Sequence, residues 1–100
     1  MKPLPYVISF RAITDIEEIW LYTVEKWSVD QANRYYNLIF EEINYICKMP
    51  DCGKQVHYIR IGYRASKVKS HLIFYKVAND KVEIIRVLHQ RMDVENQLKD

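Results

Sequence analysis

The residues best suited to chemistry lie together near the end of the chain. Arg86, His89 and Arg91 fall within the run Ile84-Ile85-Arg86-Val87-Leu88-His89-Gln90-Arg91-Met92-Asp93. An imidazole exchanges protons near neutral pH and guanidinium groups stabilise developing negative charge, so this trio could act on a phosphodiester as acid and anion clamp. The same residues have a plainer reading. A His at a strand end bonds the backbone or a nearby carboxylate such as Asp93, and any one of Arg64, Arg86 and Arg91 can belong to a solvated sheet face. Cys47, Cys52 and His57 are metal-binding residue types, but three donors without a fourth, one of them on an apolar helical stripe, fall short of a zinc site, so no metal or cofactor is expected. Glycine occurs only at Gly53 and Gly62, which removes the glycine-rich loops that cradle nucleotide phosphates.

These side chains must be positioned by a small framework. The chain has 100 residues and 49% apolar positions, enough for one core and one domain spanning residues 1–100. Tyr6 to Phe10 (YVISF) reads as a short strand entered from an arm containing Pro3 and Pro5. The period then changes. Ile13, Ile16, Trp20, Val24 and Trp27 recur at helical spacing, with Thr14 and Glu17 as a capping box and Asp15, Glu17 and Glu18 set near the helix start. Ser28-Val29-Asp30-Gln31 offers a second box, followed by the stripe Ala32, Tyr35, Tyr36, Ile39, Phe40, Ile43, Ile46 and Cys47, which stops before Pro50. The aromatic residues on these stripes are expected in the core, and Tyr22, off the stripe, at a surface or interface. Two such helices separated by a short connection form an antiparallel hairpin.

Three strand-like runs follow: Tyr58 to Val68, His71 to Val77 and Val82 to His89. Lys69-Ser70 and Asn79-Asp80 are the turns of an antiparallel meander, and Met92 to Leu98 is a short helix or tail. Leu72 and Phe74 should oppose Ile73, Tyr75 and Val77, while Val82, Ile84 and Leu88 oppose Ile85 and Val87, so both sheet faces are apolar. One helical hairpin covers one face. The other is expected to remain an exposed apolar patch studded with Arg and Lys, unless the tail folds over it.

The net charge of +2 hides an uneven distribution. Residues 1–52 carry −3, residues 53–91 carry +7 and residues 92–100 carry −2. A basic C-terminal half favours an acidic or polyanionic partner. The N-terminal segment resembles neither a signal peptide nor a spanning helix, so the expectation is a cytoplasmic protein with no membrane partner.

Several motifs resemble the RelE/ParE toxin superfamily, and its ParE branch in particular. Ala12-x-x-Asp15-Ile16-x-x-Ile19 is similar to that branch's first-helix opening, and Pro50-x-x-Gly53 to its turn after the second helix. Gly62-Tyr63-Arg64, His71-Leu72-Ile73-Phe74-Tyr75 and Ile84 to Asp93 resemble its strand signatures. The resemblance spans nearly the whole chain. It implies an α+β fold in which an N-terminal strand and an antiparallel two-helix hairpin pack on a C-terminal three-stranded antiparallel sheet. It also implies the toxin of a type II toxin–antitoxin module of the plasmid-stabilisation kind, one that binds DNA gyrase without bond-making chemistry, contacts DNA only indirectly, and is neutralised by an antitoxin with an acidic amphipathic C-terminal segment. Arg60, Arg64, Lys67, Lys76 and Arg86 are the expected antitoxin contacts, because a basic, partly apolar face offers such a segment both burial and opposite charge. Arg64, Arg86, His89 and Arg91 are the candidates for target binding. The alternative is a RelE-like ribosome-dependent messenger RNA endoribonuclease, but no Tyr lies beyond Tyr75 and Gln90 stands where a terminal tyrosine would serve that chemistry. No catalytic residue is therefore assigned.

Overall fold

Antiparallel pairing around two tight turns dominates the computed structural model, which describes residues 2–98. Strands β3 (Arg64–Val68), β4 (His71–Ala78) and β5 (Lys81–His89) form the expected meander. Asn79 and Asp80 both adopt positive φ, near 54° and 58°, as a two-residue hairpin turn requires, and short polar side chains tolerate that region. Two further strands extend the sheet: β1 (Tyr6–Ile8) pairs parallel to β5, and β2 (Lys54–Gln55) pairs antiparallel to β3. The result is a mixed five-stranded sheet ordered β1-β5-β4-β3-β2.

Helices α1 (Phe10–Lys26) and α2 (Val29–Lys48) form the hairpin against one face. Ser28 caps α2 by accepting from the Gln31 backbone N–H at 3.0 Å, as its spacing anticipates. The cap of α1 differs from the sequence expectation. Ser9, not Thr14, accepts from the Ala12 N–H at 3.0 Å, so the helix starts earlier and Thr14 instead donates to the Phe10 carbonyl at 3.2 Å. The earlier start follows from tertiary bonding. Ser9 also gives its hydroxyl proton to the Ile85 carbonyl at 2.7 Å and its N–H to the Ile84 carbonyl at 2.9 Å, fastening the helix entry to β5 where β1 ends. Asp15 is thereby moved beyond the first turn and, unlike Glu17 and Glu18, is buried.

Two apolar clusters lie on opposite faces. The first joins Ile16, Ile39, Ile43 and Ile46 of the helices to Ile73, Tyr75, Val82, Ile84 and Val87 of the sheet, and Ser66 ties β3 to α2 through a hydrogen bond to Glu42. The second contains Val56, Tyr63, Phe74, Leu88 and Leu98, with Ile59, Ile85 and Val94 against it. The expected exposed apolar sheet face is therefore covered. Its cover is the loop between β2 and β3, together with the tail carrying the short helix α3 (Val94–Gln97) and the buried Leu98. Tyr58 to Tyr63 belong to that loop and not to a strand. Lys99 and Asp100, the end of the acidic tail, lie outside the described residues.

The alternation on β5 also departs from expectation. The register passes from Tyr75↔Ile84 to Phe74↔Arg86, so Ile85 is an extra residue at a β-bulge. A one-residue insertion flips everything after it, which sends Val87 to the helix side and Leu88 to the other. Trp27 and Tyr36, expected in the core, are exposed, Trp27 because it ends α1 at the hairpin turn. No helix among the described residues is long and apolar enough to cross a membrane.

Candidate functional site

Arg86 is the most constrained of the candidate residues. Asp15 accepts from its Nε at 2.8 Å and from its Nη2 at 2.9 Å, and also from the Val87 backbone N–H at 3.0 Å. A further Nη1 bond reaches the Gln97 carbonyl at 3.3 Å. Both side chains are about nine-tenths buried. The arrangement follows from the short β1, which stops opposite Ile84 and leaves the next stretch of β5 without a strand on that side. Asp15 supplies the acceptor that a longer β1 would have provided to Val87. The hydrogen bonds to Asp15 hold the Arg86 pKa above its ordinary value, with the charges of Asp15 and Glu18 adding to the effect and burial opposing it. Arg86 therefore does not belong to a free basic face.

Arg64 is likewise committed. It donates to the carbonyls of Gly53 at 2.8 Å and Asp51 at 3.2 Å, with the Asp51 carboxylate 3.5 Å away. Arg60 lies exposed in the β2–β3 loop, Lys67 is exposed on β3, Lys76 is half-buried opposite Glu83, and Arg91 is exposed beyond β5. The five expected antitoxin contacts thus do not share one surface: Arg64 and Arg86 hold the fold together, and Arg60, Lys67 and Lys76 remain available.

His89 makes a backbone hydrogen bond at the end of β5. Its Nδ1 accepts the Arg91 backbone N–H at 3.1 Å, while Asp93 accepts from the Asn96 N–H at the start of α3. A neighbour gives it a larger context. The bulge brings His71 directly opposite His89, with ring centroids 5.2 Å apart and the planes nearly perpendicular. Tyr35 Oη lies 2.6 Å from His71 Nδ1 and 3.0 Å from the Val68 carbonyl. The hydroxyl has one proton, and the carbonyl can only accept, so Tyr35 donates to Val68 and accepts from His71 Nδ1–H. His71 is then the Nδ1–H tautomer, with a free lone pair on Nε2. Burial, and secondarily the positive charge of protonated His89, lower the His71 pKa from 6.5 to about 4.

These three residues line a groove of about 770 Å³ between the hairpin and the ends of β4 and β5, bordered also by Ile19, Tyr22, Trp27, Leu88 and Met92. Tyr22 and Trp27 are 60% and 76% exposed, an arrangement suited to an amphipathic partner. Sequence reasoning placed Tyr35 in the core and gave His71 no role of its own. A regular hairpin around Asn79-Asp80 would set His71 against Leu88, and only the bulge sets it against His89.

The His71 assignment carries a measurable consequence. A depressed imidazole pKa favours the neutral folded form, so its contribution to stability is present above pH 6.5 and is lost as pH falls toward 4. Imidazole resonances followed by NMR should show His71 as a neutral Nδ1–H tautomer at pH 7 and still largely neutral at pH 5. A His71 midpoint near 6.5 would contradict the assignment.

The remaining signature residues also have structural roles. Tyr75, fully buried, donates to the Pro50 carbonyl at 2.8 Å and accepts from the Gly53 N–H at 2.8 Å. Among the described residues no cluster of three or more His, Cys, Asp or Glu side chains is disposed to hold a metal, and Cys47 packs in the first core as a small apolar group.

Comparison with known proteins gives this architecture a context. The family model described as the ParE toxin of the type II toxin–antitoxin system parDE matches residues 6–94. Toxin ParE1 of Mycobacterium tuberculosis is 39% identical over 94 residues, covering 93% of this chain and 96% of that protein. Toxin ParE1 of Caulobacter vibrioides is 40% identical over 94 residues, covering 94% and 97%. A solved structure of the chromosomal ParDE system from P. aeruginosa superposes with a TM-score of 0.76 at 15% identity, over 86% of this chain and 95% of that one, and supports the fold. The chain belongs to the ParE toxin family of type II toxin–antitoxin systems.

Proposed function

We propose that this toxin acts as a single domain in the cytoplasm by binding DNA gyrase, without making or breaking bonds itself, and that a ParD-like antitoxin neutralises it. The observation that carries this reading is the fate of Arg86. Among the described residues it is the one Lys or Arg lining the groove that also holds His71 and His89, and three of its five N–H donors are committed to Asp15 and the Gln97 carbonyl. Cleavage of RNA needs a cation free to meet the developing phosphorane charge beside the acid and base, and among the described residues no Lys or Arg other than Arg86 lines this groove. The groove instead suits the apolar side of an amphipathic antitoxin segment. Its lining offers Tyr22, Trp27 and Met92 as large exposed contacts.

The test is a supercoiling assay run beside a translation assay. Purified protein should inhibit gyrase and leave ribosome-bound messenger RNA intact. Ribosome-dependent cleavage with gyrase unaffected would overturn the proposal in favour of an endoribonuclease.

A further inference from the structure

The loop between β2 and β3 does two things at once. Its ends are fixed: Val56 and Tyr63 are buried in the second core, and the Val56 N–H donates to the Tyr63 carbonyl at 3.0 Å. Its interior is braced as well. The N–H groups of Ile59 and Arg60 both donate to the Val56 carbonyl, Tyr63 N–H donates to the Arg60 carbonyl, and Gly62 N–H donates to His57 Nδ1 at 3.3 Å. Gly62 has φ of 87°, a conformation that disfavours other residues. Between these anchors the loop turns Tyr58 and Ile61 outward at 74% and 90% exposure, with exposed Arg60 between them. Covering the sheet face needs Val56, Ile59 and Tyr63 only. It does not account for an isoleucine and a tyrosine displayed on a braced tip.

We infer that the tip Tyr58-Ile59-Arg60-Ile61 is the element that engages the toxin's protein target, through an apolar pocket with an acidic rim on that target. Tyr and Arg are the side chains most often found to dominate protein interfaces, and a tip ordered beforehand loses little entropy on docking. The charge around it defines the rim. Between Asp51 and Asp80 the chain has no acidic residue and six basic ones, including Lys54, Arg60 and Lys67. Exposed Ile61 favours a protein pocket over a nucleic-acid backbone, which an aliphatic side chain cannot recognise. Arg60 is thereby assigned to target contact and not to antitoxin capture. The inference rests on the proposed gyrase-binding function for the name of the target, but not for the role of the tip.

Wild-type protein and the variants Ile61→Asp and Tyr58→Ala/Arg60→Glu should be compared for thermal unfolding, growth arrest on induction, binding to purified gyrase and binding to random-sequence duplex DNA. The substituted side chains are exposed, so unfolding midpoints should stay at the wild-type value. Folded variants should lose growth arrest and bind gyrase at least about tenfold more weakly. Folded variants that bind gyrase as wild type does and still arrest growth would overturn the inference. So would a loss confined to duplex DNA. Should wild type arrest growth without binding gyrase, the proposed function fails while the tip's role is decided by growth arrest alone: arrest lost in the variants supports it, and arrest retained overturns it.

Discussion

Asp15→Ala is expected to destabilise the protein by about 3–5 kcal/mol, read as a shift of the urea midpoint with unchanged slope. Two losses combine. The Arg86 guanidinium stays about nine-tenths buried with its two Asp15 bonds gone, and the Val87 N–H loses its acceptor on the stretch of β5 that β1 does not cover. A buried unpaired charge is far costlier than the net worth of the pair it came from, which sets the size of the effect. Arg86→Lys separates geometry from charge. A lysine keeps the positive charge but cannot reproduce the two-pronged contact of Nε and Nη2 with one carboxylate, so an intermediate loss is expected. The double replacement Asp15→Leu/Arg86→Met should be less damaging than Asp15→Ala, since it removes the buried charge, yet it still leaves Val87 N–H unpaired and should not restore wild-type stability. A double variant no more stable than Asp15→Ala would mean that the unpaired charge is not the dominant cost.

That ion pair marks the boundary of what local sequence patterns reveal. The two helices were legible because their apolar residues recur at helical spacing and Ser28 stands at the right place for a cap. The meander was legible because Lys69-Ser70 and Asn79-Asp80 interrupt strand-forming runs, and Asn79 and Asp80 do take up the left-handed conformations of a tight turn. Asp15 and Arg86 each stood in a recognisable motif, but they are separated by 71 positions, and no periodicity relates them. Asp15 therefore read as a dipole-compensating residue near a helix start, and Arg86 as part of an open basic face. The bulge at Ile85 was equally hidden. Alternation continues through it in the sequence while the side chains change faces, so Val87 and Leu88 exchanged places and the His71–His89 pair went unseen. The β2–β3 loop misled for a third reason. Tyr58 and Ile59 favour strands intrinsically, but an edge loop that buries Val56 and Tyr63 against the sheet gains more than a longer ladder would.

Tyr75→Phe and Gly53→Ala, the second large effect, should each cost about 1–3 kcal/mol for opposite reasons and should fail to add. The Tyr75 hydroxyl serves two backbone groups, accepting from Gly53 N–H and donating to the Pro50 carbonyl, both at 2.8 Å. Removing it leaves a donor and an acceptor under-satisfied beneath the turn that returns the chain from α2 to β2. Burial already raises the Tyr75 pKa, so the neutral phenol, with its proton available to Pro50, is the form that persists. At Gly53 the constraint is space. A Cβ there would lie 2.6 Å from Tyr75 Oη and 2.7 Å from Cε1, inside the contact limit. The Tyr75 ring cannot swing clear, because it is completely buried and pinned by those same two bonds. In the double variant the Oη clash disappears but the Cε1 contact stays, so relief is partial. The loss should fall short of the sum of the single losses by about 0.5 kcal/mol or more, measured from urea midpoints in a double-mutant cycle. Strict additivity would mean that the Pro50-x-x-Gly53 turn and Tyr75 are independent features, and that a second, unrelated contact excludes a side chain at Gly53.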